Sequence, residues 1–376
     1  MAVNPDRLDL QEPFIWYRSM REATPVARDP RNGGWMVFSY SDVQRVLSDH
    51  EHFSSALGRM SIVHTDPPRH RKLRNLVTQA FTPRAVEALR PRIEQITHDL
   101  LDQVSQLGEM DLMRDLAVPL PVIVIAEMLG IPIEDRDRFK AWSDAIVTVG
   151  DSALDPRQAQ LEMRDYFGRL VDERRRQPRE DLISALLAAR LDGEALDQFD
   201  LLAFCILLLI AGNETTTNLL GNAILCFDEN PESDDALRAD PALLPMAIEE
   251  VLRYRSPVQG MMRRARSRVV LSGQVLSAGE MVMAFIGSAN HDPAQFPDPD
   301  RFNVARLPNR HLAFGQGIHF CLGAPLARLE GAIALDALRR RLGALRVDRT
   351  HPIQLVNSHI IYGVRSLRVT FDPAAA

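Results

Sequence analysis

The amino-acid sequence predicts a mainly α protein with small attached β-sheets, and three observations carry that expectation. Apolar residues recur at helical spacing through most of the chain, as at Leu89, Ile93, Ile96 and Leu100. Strand-like pieces are short and few: Trp35 to Phe38, Val269 to Leu271, Met281 to Phe285 and Ser366 to Phe371, several of them bounded by Gly or Ser turns. One long apolar segment, LLAFCILLLIAGNETTTNLLGNAI, reads as a buried helix with a polar interruption.

Composition is that of an ordinary globular protein, and the formal net charge of -6 argues against a general nucleic-acid binder. The N-terminus has no basic start followed by an apolar stretch, and the longest apolar run, Leu201 to Ala211, falls short of the roughly 20 residues a bilayer requires. These features predict a cytoplasmic protein without a membrane anchor. No repeat or low-complexity linker divides the chain, so residues 1–376 read as a single domain. The three cysteines, Cys205, Cys226 and Cys321, are too scattered for a disulfide framework or a paired zinc site.

In chain order, HTDPPRHRKLRNLVTQAFTPR sets His70 and Arg74 four apart on a helix that Pro67 and Pro68 help to start. Two cationic donors on one face suit a pair of carboxylates, although such a basic helix is ordinarily a solvated face. The run Arg174 to Arg176 reads as solvated surface. In the long apolar helix Ala211 and Thr215 share a face, Gly212 removes side-chain bulk, and Thr215 beside Glu214 supplies an alcohol and an acid. The plain alternative is the polar end of a buried helix. In AIEEVLRYRSP, Glu250 and Arg253 are three apart and can pair on one helix face; alone, such a pair is usually a weak surface contact. The stretch His291 to Pro308 is rich in Pro and Asp and should be ordered coil, because Phe296 and Phe302 need burial.

In HLAFGQGIHFCLGAPLARLEGAIALDALRRRLG, Leu326, Leu329, Ile333, Ala337 and Leu338 share a helix face, with Gly343 where a C-terminal cap would fall. Cys321 stands just before that helix, where backbone N–H groups and the helix dipole favour a thiolate. Gly315, Gly317 and Gly323 flank it and permit close approach of a flat ligand. A buried structural cysteine next to turning glycines is the competing reading of the same residues.

Phe314, Gly317, His319, Cys321, Gly323 and Ala327 stand at the spacing of the haem-binding signature of the cytochrome P-450 family, which this segment resembles. The three other segments fit the same family in the right order and extend the resemblance over almost the whole chain. It implies the cytochrome P-450 fold, with haem between the long oxygen-side helix and the Cys-ligand loop and helix. The cofactor it implies is haem b, iron protoporphyrin IX, ligated by Cys321, with His70, Arg74, Arg263 and His319 toward its propionates and Phe314, Gly317 and Gly323 around the ligand loop. A thiolate ligand pushes electron density that favours O–O cleavage. Thr215 and Glu214 are then catalytic, delivering protons to oxygen. Glu250 and Arg253 become a buried pair joined by Arg301 of the later coil, a structural role.

The implied activity is a monooxygenase, a hydroxylase inserting one oxygen atom from O2 into a small apolar substrate: a fatty acid, terpenoid, steroid or macrolide. By family position the substrate pocket comprises Leu207, Ile210, Ala211, Val258, Gln259, Met262, Ile360 and Ile361, with Gln259 and His359 as polar contacts. Electrons come from a separate ferredoxin or flavodoxin with its reductase. The stretch from Phe53 reaches Asp66 quickly compared with family members, which predicts a small lid and an open pocket mouth. Two alternatives stay open: a peroxide-using haem-thiolate enzyme, which the Glu214-Thr215 pair disfavours, and a haem-binding sensor without turnover.

Overall fold

Proline occupies the first turn of helix after helix: Pro83–Glu87, Arg90–Asp102, Pro119–Met128, Pro156–Arg176, Pro231–Ala239, Leu244–Tyr254 and Ala324–Arg341. There its missing N–H costs nothing and its fixed φ suits the helix. One consequence is that the helical periodicity around Leu89 belongs to two helices, since Pro91 starts a new one at Arg90. The computed structural model describes residues 13–58, 61–135, 138–139, 141–142, 145, 154–191 and 193–373. They gather into two units that alternate along the chain, one formed by Met1–Arg59, Asn222–Cys321 and Leu355–Val364, the other by Met60–Gly221, Leu322–Gln354 and Arg365–Ala376.

The first unit is built on a five-stranded sheet in the order Val26–Arg28, Trp35–Val37, Met281–Ala284, Met261–Ala265, Phe53–Ser54. Trp35–Val37 and Met281–Ala284 run parallel, and the other neighbours are antiparallel. Val37, Val43, Phe53, Val282, Ala284 and Phe296 meet in its core. Trp16, Tyr17, Phe38 and Phe285 form a second cluster, with Phe38 and Phe285 stacked at 4.8 Å. Phe296 and Phe302 are buried at 1% and 2% exposure, so the Pro- and Asp-rich coil is anchored as the sequence predicts.

The second unit is mainly helical, with a three-stranded antiparallel sheet of Glu109–Asp111, Arg368–Asp372 and Gly343–Val347. Leu326, Leu329, Ile333, Ala337 and Leu338 all point inward from Ala324–Arg341. Gly343 does not cap that helix. It opens a strand opposite Asp372, whose Cβ would lie 3.2 Å from any Cβ at position 343, so the glycine serves close strand pairing. Arg174 also departs from expectation: it is 1% exposed, paired with Asp181 and bonded to the Gly130 carbonyl at 2.8 Å. Arg175 and Arg176 are exposed.

The helix Gln198–Glu229 is 32 residues long, well beyond its apolar run, and is long and apolar enough by composition to cross a membrane. Its polar residues mark it as a core helix instead. Asn213, Thr216, Thr217, Asn218 and Asn222 are buried, and Thr217 donates to the Ala117 carbonyl at 2.9 Å.

Candidate functional site

Burial separates the three cysteines. Cys205 and Cys226 are buried, and desolvation pushes each thiol up to about 12, so both stay neutral and unreactive. Cys321 is exposed. Its backbone N–H donates to the Phe314 carbonyl at 2.9 Å, which folds residues 314–321 back on themselves. Two glycines make that loop possible: Gly315 and Gly317 have φ of 72° and 74°, in the left-handed region. At Gly317 a Cβ would also fall 2.8 Å from Ser48 Cα, so backbone lies against backbone. A turn of 3-10 helix, Gly317–His319, follows, and Gly323 is the N-cap of Ala324–Arg341. An exposed thiol two residues before a helix cap, on a loop with little side-chain bulk, fits a thiolate ligand to a flat metal-bearing ring.

Gly317→Ala is therefore expected to cost roughly 1–3 kcal/mol through backbone strain and overpacking together. Gly193→Ala is the control, since φ is 81° there but nothing lies within 4 Å of the added carbon. Thermal unfolding of the two variants checks this; equal losses would mean that Ser48 does not constrain the loop.

In the second unit the long helix changes character at Ala211. Thr215 Oγ1 donates to the Ala211 carbonyl at 2.7 Å, and Asn218 Nδ2 donates to the Glu214 carbonyl at 2.8 Å. Because the Thr215 hydrogen is used on Ala211, its oxygen is left as an acceptor. Side chains that bond their own helix in this way loosen or bend it. Gly212 faces Ile125, whose Cδ1 would lie 2.3 Å from a Cβ there, so this glycine lets two helices approach. Leu207 and Ile210 are half-buried and Ala211 is exposed.

His70 is buried and Arg74 half-buried on the helix Arg69–Ala80. The neighbouring bases are engaged within the unit. Arg69 bonds both Asp200 oxygens at 2.6 and 2.7 Å, and Lys72 pairs with Glu194. These two are thereby neutralised locally.

In the first unit, strand alternation sorts the run of arginines after Met261. Arg263 is buried at 4% exposure, with Nη1 donating to the Met262 carbonyl at 2.9 Å, whereas Arg264 points outward. Val258 bridges Ile361, and the Gln259 N–H donates to the Ile360 carbonyl at 2.8 Å, so two of the sequence-predicted pocket segments are tied together. Met262 and Ile360 are exposed at 36% and 46%. Gln259 is buried and packs on Gly287; its amide nitrogen donates to the Ser256 carbonyl at 2.7 Å, and its Oε1 has no hydrogen-bond partner among the described residues. His359 is exposed. The stretch from Phe53 carries one 3-10 turn, Ile62–His64; Arg59 and Met60 lie outside the described residues.

Glu250 and Arg253 are fully buried, joined by hydrogen bonds of 2.7 and 2.8 Å. The third member is Arg306, not Arg301. Arg306 Nε lies 3.1 Å from both Glu250 oxygens, while Arg301 is exposed and contributes only its carbonyl, to Arg253 at 3.2 Å and Arg306 at 2.9 Å. The path of an irregular coil decides which arginine turns inward, and residue spacing does not encode that path. The Asn303 N–H and Asn309 amide complete the shell around the carboxylate.

With this geometry in hand, comparison with known proteins is direct. The family profile described as Cytochrome P450 matches residues 112–342. The chain is 42% identical over 372 residues to the erythromycin C-12 hydroxylase of Saccharopolyspora erythraea, covering 94% of this chain and 93% of the relative. It is 41% identical over 376 residues to the cyclomarin C epoxidase CymV of Salinispora arenicola, covering 95% of each. Among solved structures, CYP109E1 from Bacillus megaterium in complex with testosterone superposes with a TM-score of 0.90 at 45% identity, covering 95% of this chain and 99% of that one. Taken with the exposed Cys321 loop, these matches mean that the chain belongs to the cytochrome P450 family and is a haem-dependent monooxygenase.

Proposed function

We propose that this protein hydroxylates or epoxidises a bulky apolar polycycle or macrocycle, with Cys321 as the ligand of haem b. The observation that carries the ligand assignment is the contrast among the cysteines: Cys321 alone is exposed, on the glycine loop before a helix, and the other two are buried and neutral. Bound there, the haem would supply oxygen activation, with the thiolate favouring O–O cleavage. His70, Arg74, Arg263 and His319 would hold its propionates, and Phe314, Gly317 and Gly323 would shape the ligand loop. Glu250, Arg253 and Arg306 would keep that part of the chain rigid.

This chain's own contribution to the chemistry is proton handling and orientation. Thr215 Oγ1 is held as an acceptor by its bond to Ala211, and Glu214 beside it would pass protons in from solvent. Leu207, Ile210, Ala211, Val258, Met262, Ile360 and Ile361 would orient the substrate through apolar contact, with Gln259 as a polar contact. The testosterone-bound and macrolide-hydroxylating relatives support large, rigid, mainly apolar molecules as the substrate class. A ferredoxin or flavodoxin with its nicotinamide-dependent reductase would supply electrons. We read the whole chain as one catalytic domain working in the cytoplasm.

The test is a titration of the ferric protein with testosterone, erythromycin and lauric acid, following the haem spin state. Testosterone or the macrolide should shift the Soret band toward high spin, and lauric acid less. A shift with lauric acid alone would contradict the proposed class.

A further inference from the structure

In the first unit one buried side chain joins two stretches that carry proposed substrate contacts. Asn222, on the long helix Gln198–Glu229, is 0% exposed. Its Nδ2 donates to the Arg255 carbonyl at 2.9 Å and to the Tyr362 carbonyl at 3.1 Å, while Oδ1 meets no partner among the described residues. Chemistry fixes that orientation: with the amide turned over, its oxygen would face two carbonyl oxygens. A buried amide satisfied on one side only is costly, so what the site gains from Asn222 is the pair of donated bonds. Seven residues further, on the same face of the helix, Glu229 accepts from the Arg255 guanidinium at 2.7 Å. The helix thus grips residue 255 by both its carbonyl and its side chain.

The two carbonyls belong to distant parts of the chain. Arg255 is the C-cap of Leu244–Tyr254, where carbonyls lack helical partners, and it leads into Val258, Gln259 and Met262. Tyr362 follows Ile360 and Ile361. Between the two stretches runs a short antiparallel ribbon. The Tyr362 N–H donates to the Pro257 carbonyl and the Gln259 N–H to the Ile360 carbonyl, both at 2.8 Å, on either side of the Val258–Ile361 bridge. A two-stranded ribbon is marginal in water without further support. We infer that Asn222 is a positioning residue: its two amide N–H donors clamp both strands at one end of the ribbon and so fix how Val258, Ile360 and Ile361 meet the substrate. This rests on the substrate contacts proposed above for those residues.

The clamp depends on donors and not on bulk. Leucine nearly matches asparagine in size and would fill the space, but it leaves the Arg255 and Tyr362 carbonyls unpaired in the interior. Alanine leaves them unpaired as well and adds a cavity. Either change should loosen the ribbon, and more on the side of Ile360 and Ile361. The other side runs on into Met261–Ala265, which two neighbouring strands of the five-stranded sheet hold in place.

The experiment compares the haem-loaded wild type with Asn222→Leu and Asn222→Ala. Amide exchange is followed without substrate, and the haem spectrum is titrated with testosterone and with imidazole, which binds iron through its own nitrogen. Exchange across residues 257–260 and 359–363 should quicken roughly tenfold in both variants, as expected for lost buried hydrogen bonds, while the strand Trp35–Val37 of the same unit keeps its protection. Testosterone should bind about tenfold more weakly in both variants, and imidazole within about twofold of wild type. Wild-type exchange in Asn222→Leu, with quickening in Asn222→Ala alone, overturns the clamp and makes Asn222 a packing residue. Equal quickening at Trp35–Val37 also overturns it, as general destabilisation. Should Asn222→Leu not load haem, Asn222→Ala read against that strand decides. Faster exchange confined to the ribbon with unchanged testosterone affinity would leave the clamp standing and count against the proposed substrate contacts.

Discussion

Arg306→Ala should destabilise the protein by roughly 3–5 kcal/mol, whereas Arg301→Ala should fall within about 0.5 kcal/mol of wild type. Glu250 is completely buried, and its charge is balanced by Arg253 and Arg306. Removing one guanidinium leaves the carboxylate short of compensation in a low-dielectric interior, the circumstance in which breaking a buried pair is most costly. It also frees the Pro297, Asp298 and Arg301 carbonyls, which Arg306 now engages, and so releases the coil. Arg301 loses nothing comparable, because the carbonyl it contributes survives in alanine. Denaturant unfolding of the two variants checks the ordering; a larger loss at Arg301 would reverse the assignment.

Cys321→Ala should abolish electron-driven oxidation of any compound that the wild-type enzyme turns over. The other thiols offer no substitute, being buried and neutral, so neither can move to the site or ionise there. Cys205→Ala and Cys226→Ala each leave a small cavity in the core and should lower stability modestly, with turnover retained. Product formation in the three variants, driven by a ferredoxin and its reductase, separates them. Comparable loss in all three would point to general unfolding in place of ligand loss.

Much of this was legible in the residues, and the failures share a physical cause. Long periodic helices, the Val269 to Leu271 strand and the burial of Phe296 and Phe302 follow from local pattern, because apolar spacing and turn residues are local properties. The short strands Phe53–Ser54 and Glu109–Asp111 carry too few residues for any period and are paired by strands far along the chain, and Val26–Arg28, paired by the nearby Trp35–Val37, is equally short. Tertiary contact also decided Gly343, whose value lies in the approach of Asp372, and Arg174, whose partner Asp181 lies across a turn. Choosing Arg306 over Arg301 needed the path of the coil.

The ligand assignment of Cys321 is tested most directly by the absorption spectrum of the dithionite-reduced protein under carbon monoxide. Wild type, Cys205→Ala and Cys226→Ala should give the red-shifted Soret band of a thiolate-ligated haem, and Cys321→Ala should not. The same red-shifted band in Cys321→Ala would contradict the assignment.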